Sequence, residues 1–243
     1  MGPKTTRNKL CIALDVEDLK KARKLVSILK DRVGWFKVGQ ALFVQEGPAA
    51  IRMVKASGAR VFLDLKFHDI PNTVEGAARA AARMGVDLFT VHASGGKAMM
   101  AAAIKGAQKE ARLFGNKAPR VIAVTILTSL DQDSLKEQLG IKRPLSYQVL
   151  FLARQAKEAG LHGVVCSGRE LPLLRGEFPK GFFLVTPGIQ FNIAPKAADQ
   201  KRTVTPAKAI QSGSDLLVIG RAVIEAEDPL KMIGLITAHI LKS

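Results

Sequence analysis

Short apolar runs alternate with helical patterns eight times along this chain, and no hairpin signal joins any two of the runs. The runs are Lys9–Val16, Trp35–Gly39, a third opening at Val61, Asp87–Ala93, Arg120–Leu127, Gly163–Cys166, Phe182–Thr186 and Leu216–Ile219. Strands that are apolar throughout must be covered on both faces, which calls for a parallel sheet with helical crossovers. The spacing predicts those helices over Asp18–Lys30, Pro48–Ser57, Val74–Met84, Lys97–Leu113, Ser146–Ala159, Arg169–Leu174, Pro206–Ser212 and Asp228–Leu241. Asp18 is a natural N-cap, and the polar segment Asp131–Leu139 can form a further helix. Eight such units in 243 residues favour a closed (β/α)8 TIM barrel, one domain spanning 1–243, over an open doubly wound sheet. The glycine patterns of a dinucleotide fold and of a P-loop are absent.

A barrel of this kind gathers its site at the carboxyl ends of the strands. Those ends carry Asp15, Lys37, Asp64, Lys66, Asp69, His92, Thr128, Ser129, Ser167, Pro187-Gly188 and Gly220-Arg221. The third unit, VFLDLKFHDIPNT from Val61 to Thr73, is the most informative. Side chains alternate across a strand, so Asp64 and Lys66 are expected on one face and Leu65 on the other. Pro71 cannot continue a ladder and Asn72 can cap, so the next helix is expected near Thr73, with Asp69 on the connecting loop. One Asp-x-Lys step at a strand end can as readily be a solvated ion pair as part of a site. Acid or base at the first three strand ends in succession points instead to a site, in which Lys37, Asp64, Lys66 and Asp69 neutralise one another around strong local fields.

The seventh and eighth units point to phosphate. Barrels hold phosphate with the loops after these strands, and here Gly188 and Gly220 allow close approach while Arg221 offers a permanently charged fork. No metal site is expected, because His68 and His92 have no ligand spacing with cysteine or carboxylate. Ser129 and Ser167 lack a nucleophile-elbow context. His162 and His239 are expected at the surface.

The net charge of +16 raises the question of nucleic acid, but the cations are dispersed and aromatics make up only 5% of the chain. We therefore expect no nucleic-acid partner. No apolar run is long enough to span a membrane, the amino terminus lacks a signal-peptide core, and Cys11 and Cys166 lie in apolar runs as core thiols. The expectation is a cytoplasmic protein without a membrane partner.

The ten residues from Asp64 to Thr73, DLKFHDIPNT, resemble the signature of orotidine 5′-phosphate decarboxylase in its bacterial form. The resemblance extends along nearly the whole chain, through ALDV at Ala13, FKVG at Phe36, TVHASGG at Thr90, VTILTS at Val124, TPGI at Thr186 and VIGR at Val218. It implies decarboxylation of orotidine 5′-phosphate to UMP in pyrimidine biosynthesis, without a cofactor or metal. It implies Lys66 as proton donor between Asp64 and an Asp69 supplied by the other subunit of a homodimer, with Ile70 and Thr73 of that subunit beside it. Asp15 and Lys37 would contact ribose hydroxyls, Lys37 also belonging to the charged network. Thr128 and Ser129 would meet the pyrimidine, and Pro187, Gly188, Gln190, Gln200, Gly220 and Arg221 the phosphate side. One departure is Gln190, where relatives often carry arginine after Pro-Gly-Ile. Sugar-phosphate enzymes of the same Asp-x-Lys-x-x-Asp barrel group are the nearest alternative, and they carry an acid where this chain has Lys37.

Overall fold

A computed structural model of the chain describes residues 2–191 and 202–242. Eight strands close a barrel: β1 (Leu10–Ala13), β2 (Trp35–Gly39), β3 (Arg60–Phe67), β4 (Leu88–His92), β5 (Arg120–Val124), β6 (Gly163–Val165), β7 (Phe183–Thr186) and β8 (Leu216–Ile219). Each pairs in parallel with the next, and β8 returns to β1 through Leu10↔Leu217 and Ile12↔Ile219. The (β/α)8 barrel expected from the alternation is the architecture found.

The crossovers are helical: Leu19–Leu29, Pro48–Ala56, Pro71–Arg83, Gly96–Leu113, Leu145–Glu158, Leu171–Glu177, Pro206–Gln211 and Pro229–Leu241. Their amino ends are written locally. Asp18 accepts from the Lys21 amide at 2.7 Å, Asp228 from that of Lys231 at 2.9 Å, and Asp131 from that of Ser134 at 2.9 Å ahead of helix Gln132–Leu139. Each such cap contributes about 1 kcal/mol. Three short helices, Pro3–Asn8, Gln40–Glu46 and Arg221–Ile224, are not predicted from the sequence.

Some boundaries differ from expectation for identifiable reasons. The helix after β3 starts at Pro71, earlier than Thr73, with Ile70 in the cap position and Asn72 already inside the first turn. Proline suits that first position because its φ is preset and the N–H it lacks would be unpaired there anyway. β1 stops at Ala13, where its pairing with Lys37 ends, so Asp15 lies beyond the strand. β5 stops at Val124, and residues 125–127 belong to the following loop.

The pleat sorts the apolar residues into two cores. Leu10, Ile12, Phe36, Val38, Val61, Leu63, Phe89 and Val91 face outward and pack beneath the helices. Cys11, Trp35, Phe62, Leu88, Ile122, Val185, Leu216 and Val218 point inward and fill the barrel. Both cysteines are buried and unpaired, and burial pushes the Cys11 thiol up. Inward positions one step further along β2, β3 and β4 are Lys37, Asp64 and Thr90, so the barrel plug ends where the polar site begins.

Two aspartates pin the opposite rim in the same way. Asp87 Oδ2 accepts the Val61 amide at 2.8 Å while its own amide donates to the Val61 carbonyl. Asp215 Oδ2 accepts the Leu184 amide at 2.9 Å, its amide donates to the Leu184 carbonyl, and Arg175 Nη2 donates to the same carboxylate at 2.7 Å. Asp215→Ala leaves the Leu184 amide without its side-chain acceptor and takes from Arg175 its carboxylate partner, though the Gly213 carbonyl remains 2.6 Å from Nη2; we expect it to cost about 1–3 kcal/mol, read by urea unfolding. Activity per folded molecule should be unchanged, since Asp215 is at the end of the barrel away from the site.

Candidate active site

A cavity of about 490 Å³ opens at the carboxyl ends of the strands. Its polar wall is made by β1 to β3, and its apolar wall by Val124, Ile126, Val165, Val185, Ile189 and Val218. On the polar wall four charges alternate in sign. Lys37 Nζ lies 3.0 Å from Asp15 Oδ1 and 3.5 Å from Asp64 Oδ2, and Lys66 Nζ lies 3.0 Å from that same Asp64 oxygen. The side chains of Lys37 and Asp64 are each only 12% exposed, so this is an interior row that opens toward Lys66 and Asp15.

Burial alone would push the Asp64 carboxyl up, but Lys37, Lys66 and hydrogen bonds from Lys66 and Thr90 outweigh it and hold Asp64 below the usual carboxylate range. Burial likewise pulls Lys37 down, and Asp64 and Asp15 more than compensate, leaving its pKa raised. Both groups are therefore charged at neutral pH. Gly39 gives the row room: a Cβ there would lie 3.0 Å from Lys37 Nζ and 3.2 Å from Asp15 Oδ1, so one of the two side chains would have to shift.

Lys66 reaches Asp64 by a route that strand alternation does not describe. Its φ is +54°, in the left-handed region that a lysine rarely adopts, and the β3–β4 register shifts between Leu63 and Phe67. That irregularity re-aims a side chain at a site, and it persists because neighbouring bonds over-determine it. The Lys66 amide donates to Thr90 Oγ1 at 2.9 Å, and the same hydroxyl donates to Asp64 Oδ1 at 2.9 Å. Thr90 is fully buried. Sequence reasoning missed it, because threonine in an apolar strand reads as an ordinary strand former and its place beside Asp64 is set by how β4 settles against β3.

His68 and His92 stack nearby, with ring centroids 5.3 Å apart. Burial, His68 and Lys66 all lower the pKa of His92, which keeps its ring neutral beside the row. His162 is exposed as expected, whereas His239 is half-buried against Phe191. Among the described residues no three of His, Cys, Asp and Glu are grouped so as to hold a metal ion, and no helix is long and apolar enough to cross a membrane.

Of the other expected site residues, Thr128, Pro187, Gly188, Gly220 and Arg221 line the cavity. Gly188 takes φ +73°, which glycine alone adopts without strain. Gln190 is outside the lining, and its Oε1 accepts from Thr203 Oγ1 at 3.0 Å. Ser129 is exposed at the margin. Asp69, Ile70 and Thr73 are exposed and do not line this cavity; Ile70 is 67% exposed and Asp69 Oδ1 accepts the Ile70 amide at 2.6 Å. Gln200 lies outside the described residues. Glu225 lines the cavity without having been expected there.

A parallel barrel with a buried acid–base row at its carboxyl mouth is an enzyme of the barrel class. The chain belongs to the Orotidine 5'-phosphate decarboxylase / HUMPS family, which matches residues 8–234. It is 49% identical over 234 residues to an orotidine 5'-phosphate decarboxylase of Moorella thermoacetica, covering 96% of this chain and 92% of that protein. It is 46% identical to one of Geobacter metallireducens, with 97% of both chains covered. A crystal structure of orotidine 5'-phosphate decarboxylase from Lactobacillus acidophilus superposes with a TM-score of 0.83 at 36% identity, over 96% of this chain and 99% of that one. The resemblance read from the sequence is thus borne out at the level of family.

Thr90→Val removes a hydroxyl and almost no volume. It leaves Asp64 Oδ1 and the Lys66 amide without their shared partner, a loss of about 1–3 kcal/mol. We expect kcat/KM for the family reaction to fall roughly 5- to 150-fold, the same energy expressed as a rate. Steady-state kinetics on the folded variant checks this.

Proposed function

We propose that this protein removes CO2 from orotidine 5′-phosphate to give UMP without a cofactor, with Lys66 donating the proton to C6. The observation that carries the reading is the Asp64 carboxylate held 3.0 Å from Lys66 Nζ in a largely buried row, facing an apolar wall that suits a flat ring. In this reading the substrate carboxylate leaves beside Asp64 as the C6–carboxylate bond breaks. The electron pair stays on C6, in the ring plane, where conjugation cannot delocalise it. The Lys66 ammonium stabilises that charge and then delivers its proton to it.

Repulsion between Asp64 and the departing carboxylate, about 4 kcal/mol at 4 Å and an effective dielectric near 20, disfavours the ground state. That is a small part of the barrier. Binding of the remote phosphate must supply more by driving loop closure, so that its energy is expressed in the transition state. Pro187, Gly188, Gly220 and Arg221 form the phosphate side, to which Gln190 and Gln200 are assigned by the family resemblance alone; Asp15 and Lys37 meet the ribose hydroxyls, and Thr128 and Ser129 the pyrimidine. Lys37 already supplies positive charge between Asp15 and Asp64, where a sugar-phosphate relative would use a divalent cation.

Asp69, Ile70 and Thr73 serve the neighbouring site of a homodimer. Their exposure away from their own cavity supports this, since an aspartate needed beside Lys66 must then arrive from another chain.

Lys66→Ala should lower turnover at least about 10²- to 10⁴-fold with the fold intact by circular dichroism. Activity within about tenfold of wild type, only about 1.4 kcal/mol of barrier, would remove Lys66 from the chemistry. Running the wild-type assay in EDTA tests cofactor independence at the same time. Mixing inactive Lys66→Ala and inactive Asp69→Ala chains should restore part of the activity, because a heterodimer contains one site with both groups. No recovery after verified subunit exchange would confine Asp69 to its own chain.

A further inference from the structure

A buried arginine lies behind the cavity rather than in it. Arg202 is 3% exposed and does not line the cavity. Its Nη1 donates to Glu170 Oε1 at 2.8 Å, and its Nη2 donates to the carbonyls of Ile126 at 3.1 Å and Leu127 at 3.0 Å. Those carbonyls immediately precede Thr128 in the loop after β5. Glu170 Oε2 accepts the Ser167 amide at 3.0 Å, which fixes the loop after β6. Ser167 Oγ in turn donates to the Arg202 carbonyl at 3.4 Å, and a Cβ on Gly168 would overlap the Val204 side chain.

Residues 202–204 are the returning limb of the loop after β7. Val204 bridges to Ile189, its amide donates to the Gly188 carbonyl at 3.1 Å, and its carbonyl accepts the Gln190 amide at 2.9 Å. One guanidinium thus joins three successive strand-end loops: the loop bearing Thr128, the turn at Ser167 and the base of the phosphate-side loop.

Stability alone is a poor reason for such a pair. Buried ion pairs are commonly no more stabilising than apolar residues of the same volume, and among the described residues Arg202 Nε has no hydrogen-bond partner. What the arginine supplies is geometry. A planar fork spans one carboxylate and two carbonyls at fixed angles, which a lysine cannot do.

We propose that Arg202 and Glu170 are positioning residues that tie the loops after β5, β6 and β7 into one rim, so that the pyrimidine side and the phosphate side of the site are coupled. This rests on the substrate reading above. If it holds, phosphate binding at one loop improves the alignment of Thr128 at another, although neither Arg202 nor Glu170 touches substrate.

The test uses Arg202→Lys and the paired variant Arg202→Met/Glu170→Leu, which leaves no uncompensated buried charge. Wild-type turnover of orotidine 5′-phosphate decides the substrate reading separately. For the rim, kcat/KM on orotidine 5′-phosphate should fall about 5- to 150-fold in the paired variant, the usual span of coupling between linked sites. On orotidine, which has no phosphate, it should change by less than about threefold, and activation by added phosphite should fall with the former. Arg202→Lys should fall in the same direction by less. Equal losses on both substrates, or none on either, would overturn the proposal. Amide hydrogen exchange needs no substrate: residues 125–130, 166–170 and 202–205 should lose protection together in either variant while β1 to β4 keep theirs. Unchanged protection in those three loops would also overturn it, even where the paired variant folds poorly and only Arg202→Lys is measured.

Discussion

The structure depends on one shared carboxylate. Asp64 is bonded to Lys66 and Thr90 and lies beside Lys37, which in turn binds Asp15. Removing a charge from water is expensive, and an isolated Asp64 at this depth would have to take up a proton. The lysines on either side keep it ionised, and it keeps them charged in turn. The result is a row whose net charge is small and whose local fields are large.

The barrel makes that row affordable by giving it a floor and a dry opposite wall. Inward positions of the strands are apolar at the level of Trp35, Phe62 and Leu88, and become polar one pleat step later on β2 to β4 only. On β5 to β8 the same level remains apolar, with Val124, Val165, Val185 and Val218. One side of the mouth therefore carries charge and the other is apolar. The left-handed Lys66 and the register shift in β3 accompany this division: the Lys66 amide donates to Thr90 Oγ1 while its ammonium lies 3.0 Å from the Asp64 carboxylate.

The rim differs in kind from the floor. Its loops are held by polar contacts over long sequence separations: Arg202 to Ile126 and Leu127, Glu170 to Ser167, and Thr203 to Gln190. Such contacts are directional and hold the loops at a few points, whereas the barrel is held by close packing throughout.

Much of this was legible in the amino-acid sequence, because two of its signals are local. Strand and helix periods identify the eight units, and the rule that barrels work at their carboxyl ends brings Asp15, Lys37, Asp64, Lys66, Thr128, Gly188 and Arg221 together from the chain alone. What remained hidden depends on closure and register. Thr90 became a partner of Asp64 only when β4 settled beside β3, and Arg202 became a core residue only when its loop folded back over Ile126, 76 positions earlier. Residue type in sequence reports the preference of a side chain for water or for packing. Which buried polar atoms meet is decided by strand register and loop return, and those are properties of the closed barrel.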